Sequence, residues 1–149
     1  MTGKKRVVRS LVPVKKTATP SLDLTRRGGH PSWRFENADT GGPYAWTGIG
    51  PDSLADVLDG LVHFEGHKIA ETQGKGSKGT HHPCELNSLS KPALARLQAL
   101  KHDDHDRIWG FRLMAHQKER IWALRYGDVF HLLWWDPNHD VAPSQQQRR

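Results

Sequence analysis

The chain of 149 residues is predicted to fold as an α+β domain with two helices packed on a small antiparallel sheet. Three observations point there. Two stretches in the middle of the chain repeat apolar residues at helical spacing, three short runs of strand character follow them, and a Gly-Asp pair joins the last two runs.

Trp33-Arg34-Phe35 alternates and then meets Asn37, Asp39 and Gly41-Gly42, which predicts a short leading strand. Pro51 and Asp52-Ser53 open a helix. Its apolar residues Leu54, Val57, Leu58, Leu61 and Val62 share one face, and it closes near Gly66. A second helix begins after Asn87-Ser88 or Ser90, tolerates Pro92 in its first turn, and carries Leu89, Ala93, Leu94, Leu97 and Leu100 on its apolar side. Lys101 to Asp106 form a polar hinge. Strands are predicted over 108–114, 120–126 and 129–135, with Gly127-Asp128 as a hairpin turn. The run from Val129 to Trp135 is almost continuously apolar, as a strand covered on both faces requires. The expected order is strand, helix, helix and three-strand meander, with Trp33, Trp122 and Trp134 in the core.

Composition sets the limits of this domain. The apolar fraction is 36%, below the roughly 45–50% of globular chains with glycine included. That predicts a disordered basic arm over residues 1–30, a domain over 31–143 and a disordered tail over 144–149. No apolar run approaches the ~18–20 residues of a membrane span, and no apolar stretch follows the basic start as in a secretory signal. The single cysteine, Cys84, excludes an internal disulfide framework and fits a reducing compartment, so a cytoplasmic location is expected.

The net charge is +6, from 22 Lys and Arg against 16 Asp and Glu. Eight of the basic residues and one acid lie in the first 30 positions, leaving 14 basic and 15 acidic side chains beyond them. The body is therefore nearly neutral, and the arm carries the attraction for phosphate backbones.

Metal and nucleophile chemistry find little support. His63 and His67 straddle a helix end, His81-His82 are adjacent, and His102 and His105 flank two acids in the hinge; none forms a ligand-spaced pair around a base. Cys84 follows Pro83 with no base fixed beside it. The segment Gly74 to Gly79 lacks phosphate-loop spacing, but Lys75 and Lys78 give it basic reach. The meander is richer. Arg112, Arg120 and Arg125 lie on two consecutive strands, Lys118 sits between them, and Asp136-Pro137-Asn138-His139-Asp140 leaves the third. A guanidinium beside an imidazole is a pair suited to RNA cleavage, one stabilising the phosphate and the other moving a proton. Trp135 could stack on a base. The same residues also fit a simpler description: cross-sheet ion pairs and a turn.

Residues 108–143, IWGFRLMAHQKERIWALRYGDVFHLLWWDPNHDVAP, resemble the carboxy-terminal half of the RelE/ParE superfamily of small bacterial toxins. They are also similar to a group of bacterial proteins sharing an Arg-Ile-Trp-Gly stretch and a Leu-Trp-Trp-Asp-Pro-x-His ending. The first resemblance implies a RelE/ParE-like fold and a toxin of a toxin–antitoxin pair that cleaves mRNA, on the ribosome or off it, without metal or organic cofactor. It places the catalytic role on Arg120, His139 and Arg112; the residue types and positions themselves offer Lys118, Arg125, Lys75, Lys78 and Trp135 as nucleic-acid contacts. It implies an antitoxin protein in the groove between helices and sheet. A ParE-like attack on gyrase belongs to the same superfamily. The chain departs from the ribonuclease pattern in having Val141-Ala142 where a tyrosine is common. It also has Asp103, Asp104 and Asp106 where lysines precede the meander. The alternative function is a non-catalytic module for nucleic acid or protein on the same fold.

Overall fold

The computed structural model describes residues 29–74, 79–113 and 118–143. In chain order the elements are β1 (Ser32–Arg34), α1 (Pro51–Glu65), α2 (Ile69–Thr72), β2 (His81–Glu85), α3 (Lys91–Ala99), β3 (Arg107–Arg112), β4 (Arg120–Tyr126) and β5 (Val129–Asp136). Single 3-10 turns at Trp46–Gly48 and Leu86–Ser88 join them. The class is mixed α+β. Most of the predicted arm and the whole predicted tail lie outside the described residues. The last two arm residues do not float: the Gly29 N–H donates to Asp128 and His30 Nδ1 meets the Glu65 carbonyl.

The sheet has five strands in the order β1-β5-β4-β3-β2. The three-strand meander is present, with β3, β4 and β5 antiparallel. Tyr126 pairs with Val129 across a two-residue loop whose first residue, Gly127, has φ of 63°. A side chain there would be strained, which is why glycine marks this turn. β1 runs parallel to β5 and pairs Trp33 with Phe130.

One strand was not foreseen. β2 reads His-His-Pro-Cys-Glu, and Pro83 argues against a strand because it cannot donate to a ladder. β2 is the outermost strand beyond β3, where one side of its backbone needs no partner. The four-residue α2 was likewise too short to show a period.

The two main helices take opposite faces rather than sharing one. α1 buries Val57, Leu61 and Phe64 against Phe111, Ile121, Phe130 and Leu132. α3 buries Ala93 and Leu97 against Ile108, Trp122, Leu124 and Trp134. Three layers result, and the reason lies in the strands. Trp122 pairs with Trp134 but Ala123 pairs with Leu132, so Leu133 is the extra residue of a bulge. Leu133 and Trp134 then both join the α3 side, while Leu132 and Trp135 join the α1 side. A strand apolar on both faces leaves no solvated side, so each face needs its own helix. Gly110 completes the α3 side: a Cβ there would come within 2.8 Å of the Trp122 ring. Trp122 and Trp134 are core as expected, whereas Trp33 is half-buried at the margin of the α1 cluster. Among the described residues, no helix is long and apolar enough to cross a membrane.

Candidate functional site

At one end of the sheet the register places Arg112, Arg120 and Asp136 side by side on β3, β4 and β5. By strand alternation all three belong to the α3 face, with Trp122 and Trp134. The chain then leaves β5 and is folded back by Asp136. Its Oδ1 accepts the Asp140 N–H at 2.8 Å, and its Oδ2 accepts the Val141 N–H at 3.0 Å and the Trp122 indole N–H at 3.1 Å. This clamp fixes the loop that carries His139. His139 has φ of 60°, a left-handed conformation that costs a non-glycine residue ~1 kcal/mol or more. Lys101 shares this conformation, but His139 adopts it beside Arg120 and Arg112, and that combination marks the loop as a candidate site.

The electrostatics tie the groups together. Burial depresses the His139 pKa to about 4, with Arg120 and Arg112 pushing the same way and Asp140 opposing. Burial, then repulsion from Arg112, brings Arg120 down to about 10, against the pull of Asp136. Burial raises Asp136 despite its three donors. His139 is thus a neutral imidazole at pH 7, half-buried, beside Arg112, Arg120 and Asp140.

The expectation that Arg120 and His139 lie in one neighbourhood therefore agrees with the structure, but the expected role of Arg120 does not. Arg120 is 2% exposed, with Nη1 donating to the Glu119 carbonyl at 3.2 Å. It occupies an inward position of β4 and offers no surface to a phosphate in this conformation. Arg112 and His139 are half-buried and Lys118 is exposed, so these three supply what solvent can reach.

Of two further assignments, one lies apart from this end of the sheet and one is corrected. Arg125 lies on the α1 face near the Gly127 turn, its guanidinium 4.6 Å from the Trp109 ring and its Nε donating to the Gly127 carbonyl at 2.7 Å. Its aliphatic stem and charge cover aromatic core. Trp135 is 4% exposed and stacks on Trp46 in the α1 cluster, so it is closed to bases. Both placements follow from alternation: a residue one step along a strand turns to the other face. Lys75 and Lys78 lie outside the described residues.

Two participants escaped the sequence reading. The sequence reads Asp136 only as part of a turn, although an aspartate at a strand end before proline can accept N–H groups of the loop that follows. His82 projects from β2 to the α3 face, edge-on to Trp122 with centroids 6.5 Å apart. It lines a shallow cleft of about 350 Å³ with Cys84, Ser88 and Pro143. No signal in the sequence pointed to it, because β2 itself was not foreseen.

Other histidines have structural surroundings. His81 is buried against Phe64, Trp109 and Phe111, with Nδ1 3.0 Å from the Thr72 hydroxyl, and burial holds it at about 4. Among the described residues, no three His, Cys, Asp or Glu side chains are placed to hold a metal ion. No protein-family model, no curated protein and no solved structure matches the chain.

Proposed function

We propose that the protein binds RNA through a backbone phosphate at the Arg112–His139 end of the sheet, as a binding module. The observation that carries this reading is the strained, clamped loop that holds a neutral His139 in the field of Arg112 and Arg120. Arg112, His139 and Lys118 meet the ligand; Arg120 acts from behind as a fixed charge. Binding is favoured over cleavage for two reasons. Arg120 is sealed from solvent, and an imidazole held near 4 is a weak base for a proton transfer at neutral pH.

The test is a fluorescence-anisotropy titration of labelled single-stranded RNA with the full chain. Arg112→Gln and His139→Ala should each weaken binding about fivefold, roughly 1 kcal/mol. Arg112→Gln should also lower the slope of log affinity against log salt by about 0.7, the loss of one phosphate contact. Unchanged affinity and slope in both variants would refute the reading.

A second reading rests on the nearness of Arg120 and His139: a RelE/ParE-like mRNA endoribonuclease held by an antitoxin. It requires the clamped loop to lift and uncover Arg120. RNA incubated with the protein, with and without ribosomes, would then be cut by the wild type and spared by Arg120→Ala and His139→Ala.

A further inference from the structure

With Trp135 closed to solvent, the α3 face needs another ring if it is to hold a base, and β2 provides one. His82 stands opposite Gly110 of β3. Because Gly110 has no side chain, the Trp122 ring crosses over it and meets the His82 ring edge-on. The imidazole is thereby braced on one side. It stays half-buried and lines the cleft of about 350 Å³.

The far wall belongs to the loop that carries His139. Ala142 and Pro143 line the same cleft. They follow Val141, whose N–H is held by Asp136 and whose carbonyl accepts the Ser90 N–H at 2.8 Å. Walls fixed before a ligand arrives spare it part of the ordering cost. The register also fixes the separation from the phosphate-facing end. Gly110 lies two residues before Arg112, so the Cα atoms of His82 and Arg112 are roughly 8 Å apart on neighbouring strands. Cleft and phosphate end therefore adjoin on one face, within the compass of a single nucleotide.

The lining says which part of a nucleotide fits. Apolar atoms of Ala142 and Pro143 alternate with the Ser88 hydroxyl and the Cys84 thiol. Glu85 is the one formal charge among the lining residues, with Arg107 4.0 Å from it. A second phosphate finds no cation in that lining, whereas a neutral heteroaromatic ring finds a stacking partner and polar edges. The volume lies at the small end of the ~300–1,000 Å³ of small-ligand sites.

We infer that the His82 cleft holds an unpaired nucleobase of the RNA strand whose phosphate meets Arg112 and His139, with the base stacked on the His82 ring. This rests on the phosphate reading above and adds that the ligand is single-stranded, since a duplex keeps its bases stacked on one another. Stacking of this kind tolerates any base.

Anisotropy titrations of the full chain with a labelled single-stranded RNA and with an abasic strand of the same length test this. The wild type should bind the intact strand about tenfold more tightly. His82→Ala should abolish that preference and leave the salt slope unchanged, His82→Phe should retain it, and Arg112→Gln should lower the slope while keeping it. Circular dichroism would verify that each variant is folded. Independently of any variant, RNA carrying 4-thiouridine should photo-cross-link to the wild type within residues 82–84 or 142–143. Equal binding of intact and abasic strands, a preference that survives His82→Ala, or cross-links only elsewhere would overturn the base site. The phosphate reading would still stand in those cases if Arg112→Gln lowers the slope. Failure to bind either strand would overturn both.

Discussion

Two buried aspartates, each receiving a tryptophan indole N–H on the α3 face, divide the molecule into a balanced end and one where two arginines sit on neighbouring strands. Asp39 accepts Nε and Nη2 of Arg96 at 2.8 Å each, the Trp134 indole at 3.0 Å and the Gly41 N–H at 3.0 Å. The Arg96 guanidinium holds its pKa down at about 2, even against burial. Asp136 accepts the Trp122 indole and two backbone N–H groups, yet burial pushes it up, and Arg120 beside it is pushed down by Arg112. At the first end one cation meets one anion in bidentate geometry; at the second, Asp136 is held by neutral N–H donors, with Arg112, Arg120, Asp140 and a strained histidine around it. The difference teaches that Asp39 anchors the scaffold through one ion pair, whereas Asp136 folds the His139 loop back through backbone N–H groups.

The largest expected effect breaks the balanced end. Asp39→Ala should cost about 3–5 kcal/mol in urea unfolding, because it strands a partly buried guanidinium and the Trp134 N–H. A loss below ~1 kcal/mol would mean that the pair is not a structural anchor.

Acid separates the two ends next. His139 and His81 sit at about 4 in the fold, below the ~6.5 of an unfolded chain. The unfolded state therefore binds more protons between those values. Their contribution is complete above pH ~6.5 and is lost as the pH falls toward ~4, by up to ~3 kcal/mol for each. Asp39, depressed to about 2, loses its contribution only between pH ~4 and ~2. Unfolding free energies measured across this range should show two separate declines, and His81→Gln should flatten the upper one.

The smallest effect has the opposite sign. His139→Gly relieves the left-handed backbone and should raise stability by about 1 kcal/mol while RNA affinity falls. If affinity is unchanged as stability rises, His139 has no part in binding. Arg120→Met completes the contrast, with a cost under ~1 kcal/mol where a buried cation is replaced by an apolar chain of similar volume.

Local rules were enough to read much of this molecule from residues alone. The spacing from Leu54 to Val62 identified α1, Ser90 and Pro92 marked the start of α3, and Gly127-Asp128 placed the β4–β5 turn. The candidate site was half legible: Arg112, Arg120 and His139 were named together, and the meander does gather them. That Arg120 would be sealed, and that Arg125 and Trp135 would turn to the other face, was not legible. One residue of register or one bulge at Leu133 exchanges the two sides of a strand, and neither leaves a trace in composition.

The sequence by itself determined the helices, the meander and the separation of a basic arm from a nearly neutral body, because these follow from periodicity and counting over neighbouring residues. Tertiary structure alone decided which face each helix covers, which arginine finds a carboxylate, and that Pro83 sits in an edge strand. Asp39 and Arg96 stand 57 positions apart in the chain. Contacts of that range are chosen by how layers close over a shared core, and burial, the quantity that sets both charge and access here, exists only once they have closed.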